Sequence, residues 1–295
     1  MIKKFLKSIY RRLMIFVEQK ITSHISDEKY VKMVYKTITG KKLNLKSPKS
    51  FNEKINWLKL YDRKEEYTNL VDKYLVKEYV SNIIGDEHII PTLGVWSSVD
   101  EIEYDKLPEK FVLKCTHDSG GVVICHDKSQ FNPRIDTKVL KQEMKRNYYY
   151  SGREWPYKNV KPRIIAEPFM TDESGTELKD YKVFCFDGEP KVIQVDFDRF
   201  IDHKRNLYTT NWEYIDAMIK YPKDPTHQIA RPLVLDEMLD CAKKLSAGLP
   251  HARVDFYVCG EKLYFGEITL YHGGGCEKFE PEEFGIEMGG WISVI

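Results

Sequence analysis

The chain has 295 residues, of which 42% are hydrophobic and 31% are charged, and a chain of this length can bury a large core without disulfides. The composition excludes an intrinsically disordered protein, and no apolar run approaches the roughly 20 residues that a membrane-spanning helix needs. The six cysteines form no C-x-x-C pair, and the basic N-terminus is followed by neither an unbroken apolar run nor a small-residue cleavage site. We therefore expect reduced thiols, no secretion signal and a cytoplasmic protein.

The charges are distributed unevenly, although 46 basic and 45 acidic residues give a net charge of only +1. Residues 1–60 contain 15 Lys and Arg against four acidic residues, a net charge of +11. The other 235 residues contain 31 basic and 41 acidic side chains, a net charge of −10. A basic arm on an acidic body favours an anionic partner, either lipid or nucleic acid.

Apolar residues recur at helical spacing within residues 2–20, and basic residues occupy the positions between them. The apolar stripe consists of Ile2, Phe5, Leu6, Ile9, Leu13, Phe16 and Val17. Two interpretations remain open: this helix packs on the body of its own protein, or it lies on an anionic lipid surface. In the second interpretation the protein is peripheral on the inner face of the membrane, and we expect no nucleic-acid partner.

Residues 28–85 are predicted to be mostly helical, with breaks at Gly40 and Ser47-Pro48, and the pattern then changes to short β-rich runs. The predicted strands are Phe111–Cys115, Val122–Cys125, Arg163–Glu167, Tyr181–Phe186, Lys191–Asp196, Ala252–Val258 and Leu263–Ile268. Helical patterns at 136–149 and 233–247 separate some of them. The sequence therefore predicts an α+β fold dominated by antiparallel sheets.

Lys114 lies near the end of an apolar strand and is followed by the short loop Ser119-Gly120-Gly121. A lysine supplies a mobile positive charge, and the backbone N–H groups of a glycine loop can approach a phosphate closely. The pattern therefore suits a phosphate chain, with an ordinary hairpin as the alternative when it is considered alone.

Arg253 and Asp255 alternate onto one face of a predicted strand. A hairpin turn at Gly260 would bring Glu267, on the next strand, within reach of Asp255. Two facing carboxylates are costly without a cation, and Mg2+ is commonly held by one or two carboxylates together with substrate phosphates. A solvent-exposed strand face of alternating charge is the other interpretation.

Two further segments lie between these groups. The apolar strand Arg163–Glu167 ends in Glu-Pro, and Lys182 lies on the strand that precedes a hairpin turn at Asp187-Gly188. Lys182 is a candidate for a second phosphate contact, with an exposed sheet lysine as the alternative.

The order of these motifs resembles that of ATP-grasp enzymes, and more closely that of their TupA-like branch, which takes its name from teichuronopeptide biosynthesis. The resemblance covers most of the chain and rests on Ser50–Ile55, Asp72-Lys73, Ile90-Pro91, Lys114–Gly121, Glu154-Trp155 with Tyr157, Asp180-Tyr181-Lys182, Arg253-Val254-Asp255 and Phe265-Gly266-Glu267. The ordered series of segments makes the resemblance specific.

The resemblance implies an ATP-grasp fold, in which two subdomains rich in antiparallel sheet clasp ATP, with a mainly helical N-terminal region. The residues expected at ATP are Lys114, Ser119, Gly120, Gly121 and the adenine-reading hinge Glu167, Pro168, Phe169 and Met170. Those expected at Mg2+ are Asp255 and Glu267, and those expected in catalysis are Arg253 and Lys182.

The chain is expected to divide into a basic amphipathic helix (1–26), a helical region (27–108), a small subdomain with the glycine loop (109–165) and a large subdomain with the metal site (166–295). The glycine loop is shorter than is usual in ATP-grasp enzymes. Thr269 stands where many of them have an asparagine two residues after the glutamate, which places a second metal site in doubt.

The activity implied is that of an ATP-dependent carboxylate–amine ligase, which phosphorylates a carboxylate so that an amine can displace the phosphate and form an amide. The TupA-like branch points to a cell-surface polysaccharide or capsule, with a uronic acid, free or lipid-linked, and an amino acid or amine as substrates. Candidate contacts to an anionic sugar are Arg199, His203, Arg205 and His272. Plain solvated loops are the alternative at these positions.

Asp196 and Asp198 support a different class, a nucleotide-sugar-dependent glycosyltransferase of polysaccharide biosynthesis. A D-x-D pair after an apolar strand can hold the metal of a nucleotide-sugar donor, although chance produces about one such pair per 300 residues. The ligase would depend on Lys114, Asp255 and Glu267, whereas the transferase would depend on the two aspartates. A nucleotide-binding scaffold without turnover is the third interpretation.

Overall fold

A computed structural model describes residues 15–171, 179–198 and 202–294. The chain divides into two compact units. The first unit draws on the chain up to Val31, on Arg63–Val76 and on Ile90–Phe169; the second draws on Lys32–Asp62, Lys77–Ile89 and the chain from Met170 onward. Arg199 and most of the predicted amphipathic helix lie outside the described residues, and the three boundaries between the four predicted regions stay predictions.

The described helices are α1 (Asp27–Thr39), α2 (Phe51–Tyr61), α3 (Tyr67–Val71), α4 (Val76–Ile84), α5 (Pro133–Asp136), α6 (Lys138–Glu143), α7 (Tyr149–Gly152), α8 (Leu235–Ser246) and α9 (Glu282–Gly290). Short π- and 3-10-helical turns cover Val17–Ile21 and Thr22–His24. Helix α2 begins with a capping box, in which the Ser50 hydroxyl accepts a hydrogen bond from Glu53 N and the Glu53 carboxylate accepts one from Ser50 N.

The described strands are β1 (Gly94–Trp96), β2 (Phe111–Cys115), β3 (Val122–Cys125), β4 (Ile164–Pro168), β5 (Asp180–Phe186), β6 (Glu189–Phe197), β7 (Lys204–Thr209), β8 (Tyr214–Ile215), β9 (Met218–Ile219), β10 (His251–Cys259), β11 (Lys262–Thr269) and β12 (Phe279–Glu280). All seven predicted strands are found, most within two residues of their expected ends. Every strand pair is antiparallel, as predicted.

The first unit contains a four-stranded sheet in the order β1-β4-β2-β3. Alternate residues of these strands point into a core that includes Phe111, Leu113 and Ile164, all with no exposed surface. The opposite face carries Lys114 of β2, the exposed Val122 and Ile124 of β3 and the buried Ile165 of β4. One face of this sheet is therefore entirely apolar and the other carries a charged side chain, because successive residues of a strand point to opposite faces.

The second unit contains a six-stranded sheet in the order β11-β10-β5-β6-β7-β8. Helix α8 packs on one face, where the Cys185 thiol lies 3.8 Å from the Ala242 carbonyl oxygen. Helix α2 contacts the other face through Phe51, whose ring centroid lies 5.1 Å from that of His251 and 6.4 Å from that of Phe184. The same face continues away from α2 as a row of buried charged side chains.

Two regions differ from the sequence-based expectation. The helix expected over 136–149 is divided into short helices, because the Asn147 side chain accepts a hydrogen bond from Tyr149 N and starts a new turn. The segment from Lys204 onward, for which a solvated loop was an alternative, is strand β7 paired with β6. Its polar residues Arg205 and Asn206 are buried because partners within the fold satisfy them.

The described end of the N-terminal helix is held in the first unit by polar contacts. Glu18 is buried, and both of its carboxylate oxygens accept hydrogen bonds from Arg146 at 3.0 and 3.1 Å. The Thr22 carbonyl oxygen accepts another from Arg153 at 2.6 Å. Phe16 and Ile21, in contrast, are 57% and 56% exposed. Among the described residues, no helix is both long enough and apolar enough to cross a membrane.

Candidate active site

Lys114 and Glu167 meet on the open face of the four-stranded sheet. They lie on the adjacent strands β2 and β4, and the Lys114 Nζ is 2.6 Å from a Glu167 carboxylate oxygen. The Glu167 side chain is 6% exposed and the Lys114 side chain 23% exposed. A buried carboxylate thus fixes a lysine whose ammonium group remains accessible to a ligand.

The surface beside Lys114 is apolar and exposed. Val122 and Ile124 of the edge strand β3 are 40% and 45% exposed, and they alternate with the buried Val123. An apolar surface next to a fixed cation suits a flat aromatic base joined to a phosphate chain.

The glycine loop leaves β2 with a backbone that only small residues permit. Gly120 has a φ of 116°, in the region that favours glycine. A Cβ atom on Gly121 would lie 2.4 Å from the Asp118 carboxylate and 2.9 Å from the Cys115 side chain. Ser119 and Gly120 are exposed, so their backbone is open to solvent.

A buried polar cluster lies beneath this loop. The Lys73 ammonium group donates a hydrogen bond to the Asp118 carbonyl oxygen. The Asp118 side chain is 1% exposed, and burial raises its pKa although Lys73 acts in the opposite direction. Lys73 belongs to the Asp72-Lys73 segment of the resemblance, and its contact identifies it as a residue that positions the loop.

The segment expected to read adenine follows β4 directly. Glu167 and Pro168 are the last residues of β4, and Phe169 N donates a hydrogen bond to the Lys110 carbonyl oxygen at 3.4 Å. The Phe169 ring packs edge-on against His126, with centroids 4.8 Å apart. Along the chain, the first unit ends at Phe169 and the second resumes at Met170.

Asp255 and Glu267 are register partners on the antiparallel strands β10 and β11. The tight turn pairs Cys259 with Lys262, and continuing this register would set Asp255 opposite Gly266. The register shifts between Asp255 and Phe256, so that Gly266 is the extra residue of a β-bulge. The bulge sets Glu267 opposite Asp255 and turns both side chains to the same face.

Arg253 binds this carboxylate pair. Its Nε and Nη2 donate to the two oxygens of Asp255 at 2.6 and 2.7 Å. Nη2 also lies 3.2 Å from Glu267 and 3.1 Å from the Thr269 hydroxyl oxygen. Thr269, at the position where many ATP-grasp enzymes have an asparagine, therefore contacts the guanidinium group. The Arg253 side chain is 9% exposed and that of Glu267 45% exposed, so only one edge of this group reaches solvent.

Burial raises the pKa of Asp255 to about 6, and the nearby Glu267 acts in the same direction. The positive charges of Arg253 and Lys182 oppose this effect. The raised pKa of Asp255 therefore reflects its burial, which outweighs the two neighbouring cations.

Lys182 connects the pair to the middle of the sheet. Its ammonium group lies 2.5 Å from Asp180, 3.6 Å from Asp196 and 3.7 Å from Asp255. The Lys182 side chain is only 8% exposed. It is a buried cation shared by three carboxylates and not the exposed sheet lysine of the alternative interpretation.

Asp196 is the centre of the second half of this row. Its carboxylate accepts hydrogen bonds from Arg205 Nε at 2.6 Å and from Gln194 Nε2 at 3.0 Å, and it lies 3.1 Å from His203 Nε2. Asp198 is exposed, has a φ of 53° and lies beyond the end of β6. The D-x-D pair is thus divided between a buried ion-pair network and an exposed turn, which removes the geometric basis of the glycosyltransferase interpretation.

His272 is buried and not part of an exposed loop. It is 3% exposed, and its Nδ1 lies 2.6 Å from Arg253 Nη1. Burial and the positive charge of Arg253 lower the pKa of His272 well below its ordinary value. The neutral ring therefore accepts a hydrogen bond from the guanidinium group.

The second unit thus brings Arg253, Asp255, Glu267, Lys182 and His272 together, and joins His203 and Arg205 to them through Asp196. Motif reasoning placed Thr269 beside the glutamate but gave no role to Asp180 or Gln194. A signal was present, because polar residues recur at every second position of otherwise apolar strands, as in Asp180 with Lys182 and Gln194 with Asp196.

The structure thus places a buried row of cations and carboxylates on one sheet and a lysine with a glycine loop on another, at the residues on which the ATP-grasp resemblance rests. The family described as TupA-like ATPgrasp matches residues 53–293 of this chain. The chain belongs to this family, and the predicted family and ATP-grasp fold are confirmed.

Several solved structures are similar at low sequence identity. A D-alanine–D-alanine ligase from Bacillus anthracis, solved with ATP, is 16% identical, over 69% of this chain and 54% of that chain, with a TM-score of 0.39. The D-alanine–D-alanine ligase from Helicobacter pylori is 17% identical over 84% of this chain and 70% of that chain, with a TM-score of 0.42. The ATP-grasp ligase PsnB, solved with its minimal precursor, Mg and ADP, is 9% identical over 74% of this chain and 57% of that chain, with a TM-score of 0.37.

The chain spans just over half the length of the Bacillus anthracis ligase. No curated protein matches the chain significantly.

Proposed function

We propose that this ATP-grasp enzyme joins a carboxylate to an amine through an acyl phosphate. The observation that carries the proposal is the Asp255–Glu267 pair, bound by Arg253 and flanked by Lys182 on a buried strand face. Such a face supplies fixed charges where a phosphoryl group is transferred, and it limits the access of water to a reactive intermediate.

The proposed reaction has two steps. A carboxylate oxygen attacks the γ-phosphorus of ATP, the bond from that phosphorus to the β–γ bridging oxygen breaks, and ADP leaves. The amine nitrogen then attacks the acyl carbon and loses a proton. The bond from carbon to the phosphate oxygen breaks and releases inorganic phosphate with one oxygen of the original carboxylate.

The residues of this chain would bind and orient the reactants. Lys114 would leave Glu167 to contact the phosphates, with Ser119, Gly120 and Gly121 supplying backbone N–H groups. The backbone of Glu167–Met170 would bind adenine against the exposed Val122 and Ile124. Arg253 would face the transferred phosphoryl group, and Lys182 would hold the negative charge that develops beside it.

The geometry of Asp255 and Glu267 supports a magnesium site. They are direct register partners on adjacent strands, and the Glu267 side chain is 45% exposed. Mg2+ commonly takes one or two protein carboxylates and completes its shell with water and phosphate. When bound, the ion would supply charge neutralisation for the nucleotide phosphates.

A nucleotide screen tests the proposal. ATP should raise the unfolding temperature more with Mg2+ than without it, and the gain should exceed that from UDP- or GDP-sugars. Lys114→Met and Asp255→Asn should each reduce the gain, whereas Asp198→Ala should not. If a nucleotide sugar raises the unfolding temperature of the wild type but not of Asp198→Ala, the ligase proposal is wrong and the transferase interpretation is favoured.

For the substrates, we propose a uronic acid of a cell-surface polysaccharide or capsule and an amino acid or amine. The family and the cations His203 and Arg205 support an anionic sugar, because Asp196 fixes both side chains near the charged row. Arg199, the third candidate contact, lies outside the described residues.

ADP release is the measurement for this substrate class. We expect glucuronate or galacturonate oligosaccharides to stimulate ADP release when an amino acid is present, and neutral oligosaccharides not to do so. Equal stimulation by neutral and uronic sugars would contradict the substrate class and leave the ligase chemistry intact.

We also propose that the N-terminal helix binds the inner face of the membrane, where a lipid-linked acceptor would be accessible to a cytoplasmic enzyme. Its described end supports this, because the polar Glu18 is buried, whereas Phe16 of the apolar stripe is exposed and Val17 of the same stripe is only partly buried. Each Lys or Arg near an anionic leaflet contributes about 1 kcal/mol.

Liposome co-sedimentation separates the two interpretations of the helix. We expect binding to anionic liposomes at low salt, weaker binding at high salt and none to neutral liposomes. If the protein does not co-sediment with anionic liposomes at low salt, the membrane proposal is wrong.

A further inference from the structure

Helix α2 presents three polar residues on one buried face. Asn52, Asn56 and Lys59 follow each other at i, i+4 and i+7, and all are at most 8% exposed. Their side chains donate to the carbonyl oxygens of Glu277 at 2.7 Å, Gly275 at 2.8 Å and Gly274 at 2.7 Å, respectively. Burying such groups is costly unless they find partners, and the three acceptors named here lie in one short backbone segment.

The segment that α2 holds is a turn of three glycines with left-handed backbone. The φ angles of Gly273, Gly274 and Gly275 are 57°, 60° and 71°. A Cβ atom on Gly273 would lie 2.0 Å from Glu277, and one on Gly275 would lie 2.5 Å from Asn56 Nδ2. The positive φ angles therefore favour glycine at all three positions, and Gly275 fits closely against α2.

The turn begins at His272, the residue that accepts a hydrogen bond from Arg253 Nη1 at 2.6 Å. The His272 ring packs edge-on against Phe184, with centroids 4.8 Å apart, and lies 6.2 Å from the ring of Phe51 on α2. Because Nδ1 accepts this hydrogen bond, the proton of the neutral ring is on Nε2, which is buried without a hydrogen-bond partner among the described residues. Burying the imidazole with an unsatisfied Nε2 therefore costs stability, which an apolar side chain in the same place would not.

We infer that His272 is a positioning residue for Arg253, and that α2 and the triple-glycine turn form the support that sets its place. Asp255 fixes one edge of the guanidinium group and His272 fixes another, so that the plane of the group is determined from two sides. The inference rests on the proposed function in one respect: Arg253 orients the phosphoryl group in the reaction. Its support by His272 and α2 is a property of this chain's own geometry.

Substitution of His272 tests the inference, with a matched control in the same aromatic cluster. His272→Leu should lower kcat for ADP release from Mg2+-ATP about 10- to 100-fold, as loss of a supporting residue commonly does, with little change in the KM for ATP. His272→Gln retains an acceptor and should recover part of the loss. His251→Leu is the control, because His251 is equally buried beside Phe51 but contacts the Cys185 carbonyl oxygen and not Arg253.

The support from α2 is tested by a second matched pair. Lys59→Met removes the donor to Gly274 and should lower kcat in the same direction as His272→Leu, by a smaller factor. Lys54→Met removes a lysine of the same helix whose ammonium group donates to the Ile292 carbonyl oxygen, outside the glycine turn. It should leave kcat unchanged.

A direct readout on Arg253 does not need turnover. The 15N signals of the Arg253 side chain, assigned by their loss in Arg253→Lys, should show slow rotation of the guanidinium group in the wild type. Rotation should be faster in His272→Leu than in the wild type, although Asp255 still binds the other edge of the group, and it should be unchanged in His251→Leu. Unchanged rotation in His272→Leu, or equal losses of kcat in the two histidine variants, would overturn the inference.

Failure of the proposed function can be distinguished from failure of the positioning role of His272. A wild-type protein that releases no ADP from Mg2+-ATP while Arg253 responds to His272→Leu would contradict the proposed function and support the positioning role.

Discussion

At the scale of single residues, the ionisation of Asp255 is linked to stability. Its pKa in the folded protein is raised to about 6, whereas an unfolded chain has about 3.9. The fold therefore favours the protonated acid, and this contribution is complete below about pH 3.9 and is lost as the pH rises through about 6. Above that pH Asp255 is ionised in the folded protein beside Glu267, as the proposed magnesium site requires.

Comparison with Asp255→Asn isolates this effect. Without Mg2+, the free energy of unfolding of the wild type relative to the variant should fall by as much as about 3 kcal/mol between about pH 4 and pH 6. Mg2+ should restore part of the loss above pH 6 in the wild type only. Urea unfolding at a series of pH values is the measurement, and a difference that does not depend on pH would contradict the assignment.

Lys114 is expected to contribute mainly to nucleotide affinity. A hydrogen bond to a charged group contributes about 1.5–3 kcal/mol, so Lys114→Met should weaken ATP binding roughly 10- to 100-fold. Lys110→Met is the control, because it removes the same charge from an exposed side chain that precedes the same strand. Calorimetric titration with a non-hydrolysable ATP analogue distinguishes the two, and equal losses of affinity would show that only net charge matters.

At the scale of elements, the close fit of the glycine turn against α2 predicts how much stability a substitution there costs. Gly275 and Gly260 both have positive φ, at 71° and 62°, but a Cβ atom would meet Asn56 at the first position and nothing within 4 Å at the second. Gly260→Ala should cost about 1 kcal/mol for its backbone alone. Gly275→Ala should cost about 1–3 kcal/mol more because the turn must move away from α2. Denaturant unfolding measures both, and equal costs would contradict the close fit.

The sequence was sufficient to predict the strands that carry the site. The strands Phe111–Cys115 and Val122–Cys125 occur at the residues expected, because their alternation and the intervening glycines leave little freedom. The turn at Gly260 was predictable for the same reason. The presence of Lys114, Asp255 and Glu267 in strands follows from these patterns.

The bulge at Gly266 could not be read from the sequence. A shift of one residue turns every side chain to the other face, and the hydrophobic pattern of β11 does not reveal where the extra residue lies. Polar strands were equally hard to recognise. Lys204–Thr209 has the composition of a loop, yet Arg205 and Asn206 are buried by partners from distant parts of the chain. His272 was recognised as a candidate, but its role beside Arg253 depends on tertiary contacts.

At the scale of the whole molecule, two truncations separate the roles of the N-terminal segment. Removal of residues 1–14 should abolish binding to anionic liposomes and leave thermal unfolding nearly unchanged, since Glu18 and Thr22 remain. Removal of residues 1–26 should also lower the unfolding temperature. It would leave Arg146 without its Glu18 partner and Arg153, which is 1% exposed, without the Thr22 carbonyl. Equal thermal stability of the two truncated proteins would contradict the anchoring role of Glu18 and Thr22.

The central claim is that this TupA-like ATP-grasp enzyme activates a carboxylate by transferring the γ-phosphoryl group of ATP to it. The most direct measurement is the fate of oxygen in a uronic acid whose carboxylate is labelled with 18O, incubated with ATP, Mg2+ and an amino acid. We predict one labelled oxygen in each inorganic phosphate released, detected by its 31P chemical shift, and loss of this transfer in Asp255→Asn. Release of phosphate that contains no labelled oxygen would contradict the claim, because it would show that water and not the carboxylate receives the phosphoryl group.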